Sequence, residues 1–137
     1  MPGTKIEFSF NKIARIKDLD EFAALLFPGS RDQQKVFLAI FIDLKYSRDQ
    51  FMPSLRPLCD KYDFTPRILE TVRSKMRRMG MIDHVSKFSK SRGYREGWVF
   101  SNRFSRLLAQ LAELTQSFKN RSDPLQERKD RDLFRYL

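Results

Sequence analysis

The side chains best suited to chemistry lie between Arg67 and Arg78, where Arg67, Glu70, Thr71, Arg73, Ser74, Lys75, Arg77 and Arg78 crowd into twelve positions. Wound as a helix at about 100° per residue, this stretch sorts itself. Ile68, Leu69, Val72, Met76 and Met79 fall on one face. Arg67, Glu70, Thr71, Ser74 and Arg78 fall on the opposite face with Arg77 beside them, and Arg73 and Lys75 take the two flanks. Guanidinium forks, hydroxyls and a carboxylate offer directional hydrogen bonds, whereas the flanking cations offer charge neutralisation. Glu70 is the only nearby acid to offset the cations, so the helix repels itself unless an anion relieves it.

The same bias marks the surrounding chain. The net charge is +10, but residues 1–60 and 107–137 contribute only +1 each. Residues 61–106 hold twelve Lys/Arg against four Asp/Glu, so +8 sits on one third of the chain. Concentrated positive charge attracts a polyanion, and nucleic acid is the usual one.

Enzymatic chemistry lacks its parts. His84 is the lone histidine, which excludes a histidine-based triad or a multi-histidine metal site. It reads as a structural or solvent-facing residue. Asp18, Asp20 and Glu21 suit the positive end of a helix dipole better than a metal. Gly93 and Gly97 have no Gly-Lys-Ser/Thr after them and form no phosphate loop. Cys59 is the single cysteine, so no internal disulfide is possible; a buried thiol in a reducing compartment is expected. Met1-Pro2-Gly3 leads into mixed residues without a signal-peptide core. The longest apolar run, Val36 to Ile42, is too short to cross a bilayer. No catalytic residue, metal or cofactor is implied, no membrane partner is expected, and a cytoplasmic, nucleoid-associated location follows.

These residues need elements to hold them. Alternation through Ile6, Phe8 and Phe10 predicts a short extended segment. Asp18–Phe27 reads as a helix stopped by Pro28-Gly29. Ser30, with Gln33 three residues on, caps an amphipathic helix through Val36, Phe37, Ile40, Phe41 and Leu44 to Tyr46. Ser47–Pro53 reads as a connector and Leu55–Tyr62 as a short helix capped by Ser54. Asp63-Phe64 makes the turn, Thr65 caps the basic helix with Pro66 at its first position, and Gly80 closes it. Ile82–Phe88 and Trp98–Phe100 read as strands about a basic loop, Ser89–Gly97. From Ser101 a long helix runs to about Asn120, with Phe104, Leu107, Leu111, Leu114 and Phe118 at alternating spacings of three and four, a two-heptad seam. The tail after it is charged and interrupted by Pro124.

The run from Leu58 to Ile82 resembles winged helix-turn-helix regulators of the MarR and related families. The matching marks are Leu58-Cys59 at the start, Thr65-Pro66 at the turn, the basic helix, and Gly80-Met81-Ile82 before the wing. Asp63 stands where that pattern commonly has glycine, and Pro53 and Pro57 shorten or displace the second helix.

The implied fold is mainly α with a small β-hairpin wing. Residues 1–29 form an N-terminal extension with one helix, 30–101 the winged unit, 102–120 a dimerisation helix and 121–137 a charged tail. The implied protein is a homodimer on a pseudo-palindromic site in double-stranded DNA, acting as a transcriptional regulator.

A helix lying in the major groove reads bases with its outward face and meets phosphates with its flanks. Arg67, Glu70, Thr71 and Ser74 are then the expected base readers, and Arg73, Lys75, Arg77 and Arg78 the backbone contacts. Lys87, Lys90, Arg92, Tyr94 and Arg95 form the wing. Phe104, Leu107, Leu111, Leu114 and Phe118 form the dimer seam. The reading expects these cations along one exposed surface. Its rivals are a plasmid or viral replication, partition or architectural DNA-binding protein, and a winged-helix adaptor for other proteins. An RNA-binding module is disfavoured because no exposed aromatics are expected on a sheet.

Overall fold

In the computed structural model of this chain, residues 5–137 are described; the reading of Met1-Pro2-Gly3 lies outside them. Side-chain caps set most helix starts. Asp18 accepts from the Glu21 amide (2.8 Å) and opens α2 (Leu19–Leu26). Ser30 accepts from the Gln33 amide (3.2 Å) and opens α3 (Arg31–Lys45). Thr65 accepts from the Ile68 amide (3.3 Å) and opens α5 (Pro66–Met79), with Pro66 in the first turn. Each cap satisfies an amide that the helix itself cannot. Gly80 ends α5 at φ 84°, and its amide closes onto the Arg77 carbonyl. A Cβ there would meet Arg103 Cβ at 2.9 Å and the Phe104 nitrogen at 3.0 Å, so glycine serves both the turn and the close approach.

The molecule is mainly helical with one small antiparallel sheet. Between α3 and α5 lie a 3₁₀ turn (Arg48–Gln50), β1 (Phe51–Met52) and α4 (Pro57–Tyr62). After α5 come β2 (Ile82–Ser89) and β3 (Gly93–Phe100), and the strand order is β1-β3-β2. The chain divides into two units, one ending at Phe104 and one spanning Ser105–Leu137. In the first, Phe27, Phe37, Ile40, Leu44, Leu58, Val72, Met76 and Ile82 are fully buried. A chain of rings, Phe27–Phe37–Phe41–Phe100, ties α2 and α3 to β3 at centroid distances of 5.6, 5.7 and 5.0 Å. Full burial of a side chain such as Phe27 or Phe37 contributes about 1.5–3 kcal/mol. Gln34, the one buried polar side chain among the described residues, donates to the Phe27 carbonyl (3.0 Å) and accepts from Arg31 (3.1 Å).

Several boundaries differ from the sequence reading. No strand forms at Ile6–Phe10. Ser9 instead caps α1 (Phe10–Ala14), Ile6 packs on the core, and Phe8 and Phe10 stay exposed. The short helix begins at Pro57 rather than Leu55. Proline has no amide to continue a ladder, and the chain enters through i→i−3 bonds, Leu58 to Leu55 and Cys59 to Arg56, each 3.0 Å. Ser54 accepts from the Arg56 amide (3.2 Å) within that turn.

The connector holds a strand: Phe51 and Met52 pair with Val99 and Trp98. The second hairpin strand starts at Gly93, so the loop is only Lys90–Arg92. Gly97 is inside it because a Cβ would lie 2.5 Å from the Met52 carbonyl oxygen and 2.7 Å from the Phe51 ring. Asp63 itself adopts the left-handed conformation (φ 57°) that closes α4.

The second unit holds most of α6 (Arg103–Lys119), then α7 (Pro124–Asp132) and a 3₁₀ turn (Leu133–Tyr136). Pro124 starts α7 instead of interrupting the tail, and Asp123 caps it by accepting from the Leu125 amide (3.0 Å). Among the described residues no helix is long and apolar enough to cross a membrane.

Candidate nucleic-acid interface

Leu69, Val72, Met76 and Met79 anchor α5 in the core, and Ile68 is half-buried beside them. That fixes the opposite face toward solvent: Arg67, Glu70, Thr71, Arg77 and Arg78 are exposed and Ser74 is half-exposed. The side chains on this face differ in how far they are committed. Glu70 is ion-paired with Arg73 and accepts from the Ser74 hydroxyl (3.4 Å). Thr71 donates back to the Arg67 carbonyl (3.1 Å). The Arg67 guanidinium makes no hydrogen bond or ion pair among the described residues, leaving all its donors available.

Arg73 is mostly covered. Its guanidinium lies 5.0 Å from the centre of the Trp98 ring, on which Arg77 also converges at 5.9 Å. His84 meets the same indole edge-on at 4.9 Å. The last turns of α5 are thereby joined to the base of the hairpin through one buried tryptophan. Arg103 adds an ion pair with Asp83 and a long contact to the Arg77 carbonyl (3.5 Å).

Lys75, one of the expected backbone contacts, is engaged within the fold. Its ammonium donates to the Leu26 carbonyl at the end of α2 and to the Lys5 carbonyl (3.3 Å), and lies 4.5 Å from the Phe27 ring centre. Burial, with Arg78 nearby, lowers its pKa. It is a helix-terminus partner for α2, turned away from the outer face.

The hairpin corrects the expectation of one cationic surface. Successive side chains on a strand alternate faces. Register pairs His84 with Trp98, Ser86 with Glu96 and Phe88 with Tyr94 on one face. It pairs Lys87 with Arg95 on the other, where both lie over Phe51, at 5.6 and 4.7 Å from its ring centre. Arg92 leans from the loop onto Asp49, whose pKa that hydrogen bond and charge lower. Lys90 is exposed in the loop. The cations therefore form two groups, Arg73 and Arg77 at Trp98 and Lys87, Arg92 and Arg95 at Phe51 and Asp49, on opposite sides of a projecting ribbon.

Sequence reasoning passed over Asp49, Phe51 and Trp98, which position these cations. The signal for Trp98 was present: a lone tryptophan in a strand beside an arginine-rich helix. For Asp49 and Phe51 there was none, because a two-residue strand has no period.

In the second unit, Leu107, Leu108, Leu111, Leu114 and Phe118 are all exposed. Phe104, expected to begin that seam, packs against the core of the first unit. Cys59 is a buried free thiol. Among the described residues no group of three or more His, Cys, Asp or Glu is arranged to hold a metal. No protein-family model, no curated protein and no solved structure matches this chain.

Proposed function

We propose that this protein binds double-stranded DNA as a winged helix-turn-helix protein, with α5 as the groove-reading helix and β2–β3 as the wing, and that it regulates transcription as a homodimer. The observation that carries the proposal is the division of α5: an apolar face locked into the core and an opposite face bearing Arg67, Arg77 and Arg78 toward solvent. The order α3-β1-α4-α5-β2-β3 supports the same reading. The hairpin adds Lys87 and Arg95 on one face and Lys90 in its loop, cations suited to phosphate contact. The exposed leucines of α6, at heptad spacing, support pairing of two copies.

One observation favours a second reading, an architectural DNA binder. Of the four expected base readers, Glu70, Thr71 and Ser74 are already bonded within α5. That leaves Arg67 as the uncommitted reader and weakens sequence discrimination. A plasmid or viral initiator or partition role, and an adaptor role, have no feature favouring them.

Selection of bound sites from random duplex DNA tests the proposal. One enriched palindrome supports the regulator, salt-dependent binding without enrichment supports the architectural protein, and no binding refutes both. In the same assay, Arg77→Gln and Arg78→Gln should each reduce the salt slope by about one unit, as expected for one lost phosphate contact. Lys75→Met should leave the slope unchanged.

A further inference from the structure

We propose that the tip of the β2–β3 hairpin is a nucleobase-stacking site, in which Phe88 and Tyr94 stack on bases whose own stacking in DNA is interrupted. The inference rests on the DNA reading above and extends it from groove and phosphate contact to the flat faces of bases.

Phe88 and Tyr94 are register partners, so their rings share one face of the ribbon. They are 78% and 63% exposed, far outside the core. Tyr94 is held in place: its hydroxyl donates to Glu96 and lies 3.1 Å from the Ser86 hydroxyl, both on the same face. A ring tethered at its polar end presents a surface with little freedom left to lose on binding. The Glu96 carboxylate is engaged by that tether, and the Asp49 carboxylate beside the loop by Arg92.

The surroundings decide what covers the rings. Lys90 lies exposed in the adjoining loop, Arg92 there is paired with Asp49, and Lys87 and Arg95 occupy the opposite face of the same ribbon. Exposed rings set among cations are how proteins hold unstacked bases, with the charges on the backbone and the π-faces on the bases. An anionic bilayer could meet only one side of the ribbon at a time, leaving either the rings or Lys87 and Arg95 unused. DNA opened at one step surrounds the tip with bases between two phosphate strands, and aromatic or apolar wedges enter such steps.

The test uses the full chain and two duplexes of one sequence, one fully paired and one with a central two-nucleotide bulge, in anisotropy titrations at fixed salt. The wild type should bind the bulged duplex about tenfold more tightly, within the range of base–aromatic stacking. Phe88→Ala should abolish that preference while changing paired-duplex affinity less than twofold, Tyr94→Ala should abolish it whatever its effect on the paired duplex, and Phe88→Trp should retain it. An unchanged Trp98 emission spectrum would verify that the variants keep the hairpin base.

Equal wild-type affinity for the two duplexes overturns the stacking site and leaves the DNA reading intact, as does an equal loss on both in the variants. Absence of salt-dependent binding to either duplex overturns both. Phe88-dependent binding to phosphatidylserine vesicles, without a bulge preference, overturns the site in favour of a membrane.

Discussion

Arg67 and Lys75 look alike as letters, yet the fold gives them opposite fates. Arg67 keeps its guanidinium in solvent, whereas Lys75 is folded back onto the end of α2. A bidentate arginine–guanine pair discriminates by about 1–3 kcal/mol. Under the proposed function, Arg67→Ala should cost that much at one base position of the selected site and little elsewhere. A loss spread evenly over all sequences would demote it to a phosphate contact.

Asp43 makes a separate prediction, about stability. Partial burial works to raise its pKa, but hydrogen bonds from Lys61 (2.8 Å) and Tyr62 outweigh it and leave the carboxyl below its ordinary value. A depressed folded-state pKa stabilises the fold fully above the unfolded value, about 3.9. That stabilisation drains as pH falls through the folded value. Asp43→Asn should therefore lower stability by about 1–2 kcal/mol at pH 7, the range for hydrogen bonds to a partly exposed charge. The gap should narrow as pH falls below the unfolded value of about 3.9 in urea titrations; a gap independent of pH would refute the assignment.

At the scale of elements, caps and stops were legible because they are local. Asp18, Ser30, Thr65 and Gly80 act on amides or carbonyls within four residues, and each stands where its element begins or ends. The sheet was less legible. β1 is two residues long, and β3 contains Gly93 and Gly97, which read as loop because glycine is disfavoured in strands. Gly97 is required by the approach of β1, a partner 45 positions away in sequence. Gly97→Ala would set a methyl against the Met52 carbonyl oxygen and the Phe51 ring. It should destabilise the first unit by about 1–3 kcal/mol, the usual cost of overpacking. An unchanged denaturation midpoint would contradict that close approach.

At the scale of the whole molecule, the pattern of leucines on α6 is a statement about another surface. Leu107, Leu111, Leu114 and Phe118 are spaced for a seam and are exposed in the single chain. If two copies pair there, Leu111→Asp with Leu114→Asp should yield monomers in sedimentation equilibrium, with the first unit still folded. An unchanged mass would refute the seam. Such a dimer would also set the spacing of two half-sites, so the same variant should lose the affinity gained from a palindrome while keeping that for one half-site.

The sequence by itself determined the mainly helical course, the caps of α2, α3 and α5, the apolar and polar faces of α5 and the concentration of charge in residues 61–106. Each is a property of neighbours within a few turns, where helical geometry converts spacing directly into direction. The tertiary structure alone decided which cations stay free. Lys75 is drawn to carbonyls of α2, Arg73 is laid on Trp98, and Lys87 and Arg95 are sent to the far face of the ribbon by strand register. Those outcomes depend on which distant backbone lies within reach of a long flexible side chain, and no local pattern encodes that distance.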